Sequence, residues 1–332
     1  MEQQNYMVWV RCFTYNHAPY IEDALNGFCM QETTFPFVCT IVDDASTDGE
    51  QEVIKNYLQE HFDLEDKAIV RNEETDDYIL TFARHKTNIN CFFAVLYLKY
   101  NHYSVKKPKM PYIQEWNDNA RYIALCEGDD FWIGKEFLQQ SVSFLDKNPK
   151  YSCVFGNRIV CNEDATQFRT FKFKGDLTIN DIMHGTNMGL RNLCFRSEVL
   201  KAASSVVGAR DLYLYYRCAV SGKMKYMDKD FAVYRYTGKG VCSSITGREA
   251  IFTRYQHYYN FHKATNFKYQ KEYVNYQIRQ MFSNLFYPSL LMYCLQMTQR
   301  FHVPSRWRYA WYIWFVISNI CGKLYTLVIK LF

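Results

Sequence analysis

The chain has 332 residues, enough for one large α/β domain with an appendage or for two modest domains. Hydrophobic residues make up 48% and charged residues 22%, and there are only 7 Pro and 14 Gly, which excludes collagen-like, linker-dominated and disordered chains. A net charge of +5 is too small to argue for a nucleic-acid partner.

The pattern predicts strands alternating with helices. Val8–Phe13 is a short apolar run bounded by Thr14-Tyr15-Asn16 and reads as a buried strand. Pro19 opens a helix whose Ile21, Ala24, Leu25, Phe28 and Cys29 share one face. Phe37–Val42 is a second buried strand ending at Asp43-Asp44. Asp48 is the expected cap of the next helix, with Gln51 as its capping-box partner. Ala68–Val70 reads as a short third strand and Phe82–Tyr100 as a helix. Residues 101–119 read as an inserted loop. Tyr122–Cys126 is a further buried strand that runs straight into Glu127-Gly128-Asp129-Asp130, and a helix follows over Phe137–Leu145. Strands and helices at this spacing imply an α/β fold with a mostly parallel sheet, in which ligands bind at the carboxyl ends of the strands.

The stretch 151–247 is mixed, with strand-like Ser152–Val160 and Val233–Tyr236 and a helix over Asp211–Val220. From Arg248 onward the pattern is nearly all helix, broken near Pro288 and Pro304. This last region carries 11 Lys and Arg against two acids, so the body before it is mildly acidic and the tail strongly basic. The 12 cysteines form no CxxC pair and lie mostly in apolar runs, as small buried hydrophobes do in a reducing compartment. The start of the chain has no basic and apolar leader, and no N-glycosylation sequon occurs, so the cytoplasmic side of a membrane is the expected location.

Glu127, Asp129 and Asp130 pack three carboxylates into one turn, and their mutual repulsion is relieved by a divalent cation. Oxygen-only ligands suit Mg2+ or Mn2+, which bridge to phosphate oxygens. The alternative is a solvated turn followed by a helix cap. The second acidic pair, Asp43-Asp44, at a neighbouring strand end favours the cation.

Val8–Asn16 (VWVRCFTYN), Ile41–Gly49 (IVDDASTDG) and Tyr122–Trp132 (YIALCEGDDFW) resemble, in order and spacing, the three signatures of glycosyltransferase family 2 of GT-A fold, in a form common in bacterial surface-polysaccharide enzymes. Downstream, Arg210-Asp211, Gly222-Lys223 and Ala232–Arg235 look like the family's acceptor-side segment, so the resemblance spans roughly residues 6–240. It implies a GT-A catalytic domain over 1–245 and a helical extension over 246–332. Thr14, Tyr15 and Asn16, with Asp43, Asp44 and Asp129, are implied to line the nucleotide site, Asp44 meeting the base. Asp130, Asp129 and Glu127 are implied to hold Mn2+ or Mg2+. Glu127 stands where the family more often has Asp, and Phe13 replaces a small residue or Pro. Asp211 matches the family's catalytic base, its alternative being a plain helix cap. The implied reaction is inverting transfer from a nucleotide sugar, such as a UDP-sugar, to a lipid-linked or oligosaccharide acceptor.

Other motifs are absent from the sequence. There is no GxGxxG after the first strand, no P-loop and no HExxH, and Val303 stands where the Gln-x-x-Arg-Trp motif of processive synthases needs Gln. Transfer of one sugar per encounter is therefore expected. The run Tyr309–Phe332 is long enough to span a bilayer, but Asn319 and Lys323 interrupt it. A helix over 306–332 lying in the membrane surface is expected, the alternatives being a helix packed on the fold or on a homodimer partner, and a true span. The rival functions are a nucleotidyltransferase, which lacks its Gly-rich loop here, and a non-catalytic membrane-associated scaffold.

Overall fold

The computed structural model describes residues 5–201, 210–238 and 245–301. Its contacts divide the chain into two units: Met1–Ile182, Thr186–Ser204 and Leu214–Gly240 form the first, and Met183–Gly185, Ser205–Tyr213 and Val241–Phe332 the second. In chain order the elements are β1 (Val8–Thr14), α1 (Ile21–Cys29), β2 (Phe37–Asp43), α2 (Glu50–His61), β3 (Phe62–Asp63), β4 (Arg71–Glu74), β5 (Tyr78–His85) and β6 (Cys91–Leu98). A 3-10 turn at Met110–Ile113 leads into α3 (Gln114–Asn119), then β7 (Tyr122–Leu125), β8 (Phe131–Trp132), α4 (Phe137–Lys147), β9 (Tyr151–Phe155), β10 (Arg158–Cys161) and β11 (Phe168–Phe171). After α5 (Ile179–Met183) come a 3-10 turn at Leu190–Asn192, β12 (Leu193–Arg196), α6 (Ser197–Lys201), α7 (Arg210–Ser221), β13 (Lys223–Tyr226) and β14 (Ala232–Arg235). The helices α8 (Gly247–Ala264), α9 (Gln270–Ser283) and α10 (Pro288–Arg300) follow.

The first unit is built on a ten-stranded sheet of order β13-β9-β12-β7-β1-β2-β6-β5-β3, with β4 on β5. Its centre, β7-β1-β2-β6, is parallel throughout. All residues of β2 and β6 are buried, as a strand covered on both faces requires. The register pairs Thr14 with Asp43, so the chain leaves β1 and β2 at the same carboxyl edge. A second sheet, β11-β10-β14-β8, carries β8 immediately after the acidic turn and pairs it with β14. Ten cysteines lie in the described residues, none in a disulfide, and all but Cys29 are buried.

The structure differs from the sequence expectations at several points. The predicted helix over 82–100 is instead the antiparallel hairpin β5-β6, turned by His85, whose Nδ1 accepts from the N–H groups of Thr87 and Asn88. Its apolar run, CFFAVLYL, is rich in aromatic and branched residues and gains a strand partner in β2. The predicted strand Ala68–Val70 is a turn closed on Asp66, whose carbonyl accepts from Ile69 and Val70, and the strand starts at Arg71. The cap of α2 is Gly49, in the left-handed region at φ 95°, while the Asp48 carboxylate accepts from the N–H groups of Ala18 and of Glu50, the first residue of the helix. Part of the 101–119 loop is helical, at Met110–Ile113 and α3.

The second unit packs α8, α9 and α10 around Ile251, Tyr255, Ile278, Met281, Cys294, Met297 and Phe301. Tyr273 and Gln277 both donate to the Phe301 carbonyl, at 2.7 and 3.1 Å. The expected break at Pro288 is present, since Pro opens α10. The break at Pro304 and the predicted membrane helix 306–332 lie outside the described residues. Among the described residues no helix is long and apolar enough to cross a membrane.

His262, in the last turn of α8, is buried between Phe261 and Tyr273, and burial lowers its pKa to about 3 from 6.5. The unfolded chain therefore binds the proton first, and stability falls as pH drops from about 6.5 towards about 3. His262→Phe is expected to remove this term. Urea titrations at pH 7 and pH 5 should show the wild type losing about 2 kcal/mol more than the variant.

Candidate active site at the strand ends

Three loops meet at the carboxyl edge of β1, β2 and β7. The first, Thr14–His17, turns at Asn16, which adopts a left-handed φ of 56°. The second, Asp43–Glu50, is tied to it by paired side-chain and backbone bonds. The Asn16 N–H donates to Ser46 Oγ at 2.8 Å, and Asn16 Oδ1 accepts from the Thr47 N–H at 2.8 Å. Glu50 is the common anchor. Its buried carboxylate accepts from the Thr14 hydroxyl, from the His17 N–H at 2.8 Å and from Ser46 Oγ at 2.8 Å. Burial raises its pKa and these three donors oppose the rise.

The third loop is the acidic turn. The Gly128 N–H donates to the Phe13 carbonyl, which sets the turn directly against β1. A Cβ at Gly128 would lie 2.1 Å from Thr14 Oγ1 and 2.6 Å from Thr14 Cβ, so only glycine permits this approach. Gly128→Ala is expected to force the ends of β1 and β7 apart and to cost about 1–3 kcal/mol. Thermal unfolding should show the loss.

The three carboxylates of this turn face different partners. Glu127 Oε2 accepts from the Phe13 N–H at 3.1 Å, and Oε1 lies 3.6 Å from Arg11. Asp129 is half-buried, with Oδ2 at 3.9 Å from His17 Nε2. Asp130, expected to face a cation, is buried and turned into the fold. Its Oδ1 accepts from the Arg235 N–H at 3.0 Å, and Oδ2 is ion-paired with Arg191 at 2.6 Å. Burial lifts its pKa to about 7 against the pull of Arg191. Arg235 also donates to the carbonyls of Asp129 and Glu163 and pairs with Asp23, so one buried guanidinium holds the backbone of the acidic turn.

Asp44, expected to meet the base, is held by partners within the protein. Its carboxylate is buried and accepts from the N–H groups of His102 and Tyr103 and from Lys109 at 2.8 Å. Both oxygens are thus engaged by the 102–109 segment, and a nucleobase would have to replace one of these donors to bond here. Asp43 Oδ1 accepts from the Ser46 N–H and from Gln51, and Oδ2 is buried without a hydrogen-bond partner. Tyr15 and Asn16 are exposed and Thr14 is buried. Asp211 stands exposed in the first turn of α7, in the second contact unit, whereas the other candidates lie in the first.

Among the described residues no three His, Cys, Asp or Glu side chains come together closely enough to cage an ion. A Mg2+ or Mn2+ bound by one or two carboxylates and completed by substrate phosphates needs no cage. Asp129 fits that arrangement, and Asp130, paired with Arg191, does not. Glu50, Lys109 and Arg191 were missed by sequence reasoning, and Arg235 entered it only within the acceptor-side segment. Only Glu50 had a local signal, as an acid in the first turn of a helix directly after an acidic loop.

Residues 12–79 match the family described as Glycosyl transferase family 2. Over this stretch the chain is similar to glycosyl transferase family 2. Uncharacterized proteins of Mycobacterium tuberculosis and Mycobacterium bovis are 28% identical to it over 235 residues, which is 70% of this chain and 59% of theirs. The chain therefore spans less than two thirds of the length of these relatives. Among solved structures, TarS of S. aureus in complex with UDP-GlcNAc matches at a TM-score of 0.52 and 15% identity, over 88% of this chain and 91% of that one. The mannosyltransferase PcManGT from Pyrobaculum calidifontis, in complex with GDP-Man and Mn2+, matches at 0.50 and 14%, over 97% and 81%. At these identities the likeness is one of fold, and the chain has the GT-A architecture of a large, mostly parallel sheet with flanking helices.

Proposed function

We propose that this protein is a glycosyltransferase that moves one sugar from a nucleotide-sugar donor to a lipid-linked glycan, with inversion at the anomeric carbon. The observation that carries the reading is the lashing of the Thr14–His17 and Asp43–Glu50 loops through Glu50, with the acidic turn seated on them through Gly128. Such an edge of a parallel sheet is where α/β folds bind nucleotides.

In this reading the loops after β1 and β2 receive the nucleotide, and Tyr15 and Asn16 are the exposed groups available to it. Asp129 holds the divalent cation, Mn2+ or Mg2+, with Glu127 beside it and Arg235 fixing the turn beneath. A bound cation supplies charge neutralisation for the nucleoside diphosphate as it leaves. Asp211 takes the proton from the acceptor hydroxyl as that oxygen attacks. The basic, aromatic-rich tail, with its surplus of Lys and Arg after Arg248, supports attachment to an anionic membrane surface on the cytoplasmic side, where a lipid-linked bacterial surface glycan is assembled.

The test is a panel of nucleotide sugars screened for protection against thermal unfolding with Mn2+ present, followed by detection of the released nucleoside diphosphate. One donor is expected to raise the melting temperature and to be consumed with a glycolipid acceptor. If no nucleotide sugar protects or is consumed, the transferase reading fails.

A further inference from the structure

The helical unit contains a cleft that the chemistry above does not use. It encloses about 230 Å3 between α8, α9 and the backbone of 183–185, and every residue lining it belongs to this unit. One wall is Tyr258 stacked on Tyr276, with ring centroids 3.4 Å apart and planes within 10°. Along α9, Glu272, Asn275, Tyr276, Arg279 and Gln280 follow at helical spacing, so one face brings these polar groups to the same cleft. Arg279 donates to the His184 carbonyl at 3.2 Å and closes one side. Two polar atoms of this lining, Tyr276 Oη and Gln280 Oε1, are buried and have no hydrogen-bond partner in the protein. Buried polar atoms in folded proteins are nearly always bonded, so these two leave hydrogen-bonding capacity for water or a ligand at the cleft.

The chemistry of the lining narrows the ligand. The lining holds one acid, Glu272, and one permanent cation, Arg279, so the cleft selects neither an anion nor a cation. It has no excess of basic groups for a phosphate and is too polar for an acyl chain. Donors and acceptors alternate beside a flat aromatic wall. A pyranose ring presents hydroxyls that both donate and accept, and a face of C–H groups that packs on the negative face of an aromatic ring. The volume is below the ~300–1,000 Å3 of pockets for drug-sized molecules, which suits a single ring.

We propose that this cleft is a saccharide-binding subsite that takes one neutral pyranose unit of the acceptor glycan. Only the identification of that glycan as the acceptor rests on the transferase reading. The direct binding of a pyranose stands apart from it.

The test uses the full chain and a panel of methyl pyranosides (glucoside, galactoside, mannoside, rhamnoside and N-acetylglucosaminide), with saturation-transfer NMR as the readout. At least one is expected to bind with millimolar affinity. Tyr276→Phe and Gln280→Leu are each expected to weaken that binding about 3- to 10-fold, the effect of one hydrogen bond, and to leave UDP affinity unchanged. The proposal is overturned if no pyranoside binds at about 50 mM, well above the millimolar range. It is equally overturned if binding is the same in wild type and both variants. If a pyranoside binds and the variants weaken it while no nucleotide sugar is consumed, the cleft stands and the transferase reading falls. If sugar transfer proceeds and no pyranoside binds, the cleft alone falls.

Discussion

Asp211→Asn is expected to leave donor binding intact and to lower turnover by about 10²–10⁴-fold, the usual contribution of a positioned general base. The carboxylate stands exposed in the first turn of α7, at the positive end of the helix dipole. Asn has the same shape and still accepts hydrogen bonds from first-turn N–H groups, so a merely structural role would survive the change. The two roles therefore separate cleanly. A base loses its proton acceptor and kcat collapses while the donor dissociation constant and melting temperature hold. A cap loses at most a few tenths of a kcal/mol and kcat stays near wild type. Calorimetric titration of the donor, paired with single-turnover transfer, reads both quantities on one preparation. Wild-type kcat in the Asn variant would remove Asp211 from the chemistry.

The central strands were legible because a strand covered on both faces must be apolar throughout. Val8–Phe13, Phe37–Val42 and Tyr122–Cys126 read that way, and β1, β2 and β7 of the parallel centre lie there. The same rule misled at Phe82–Tyr100. An apolar run of that length satisfies helical and strand patterns alike, and the partner that decides it, β2, lies far back in the chain. The site was legible to a similar depth. Acidic turns at the ends of the two strands that flank β1 announce an anionic, strand-end site. The direction in which each carboxylate faces was not legible, because the deciding partners are remote. Lys109 reaches Asp44 from 65 residues away, and Arg235 reaches Asp130 from 105. Glu50 is local in sequence, yet its importance comes from burial and from bonds to a loop more than 30 residues upstream. Charge spacing locates a cluster. Only packing tells which of its members is left facing outward.

That distinction can be measured within one turn. Asp129→Ala is expected to abolish metal-dependent donor binding and to lower kcat/KM by about 10²–10³-fold, which corresponds to roughly 3–4 kcal/mol of lost charge stabilisation. Its side chain is half-buried, and its ionic neighbour His17 lies at 3.9 Å, so the fold should tolerate the change with a small shift in melting temperature. Asp130→Asn should behave in the opposite way. The Asp130 carboxylate is buried against Arg191 and the Arg235 N–H, and Asn keeps the second contact while leaving the Arg191 charge without its anion. Removing one partner of a buried pair costs about 3–5 kcal/mol, so this variant should melt markedly lower. The metal requirement of whatever folded protein remains should be unchanged. Donor titrations with Mn2+ and with EDTA, run beside thermal unfolding for both variants, give the full comparison. Should Asp129→Ala retain a Mn2+-dependent gain in donor affinity while Asp130→Asn loses it, the assignment within the turn is reversed and Asp130 must swing out from Arg191 when the donor binds.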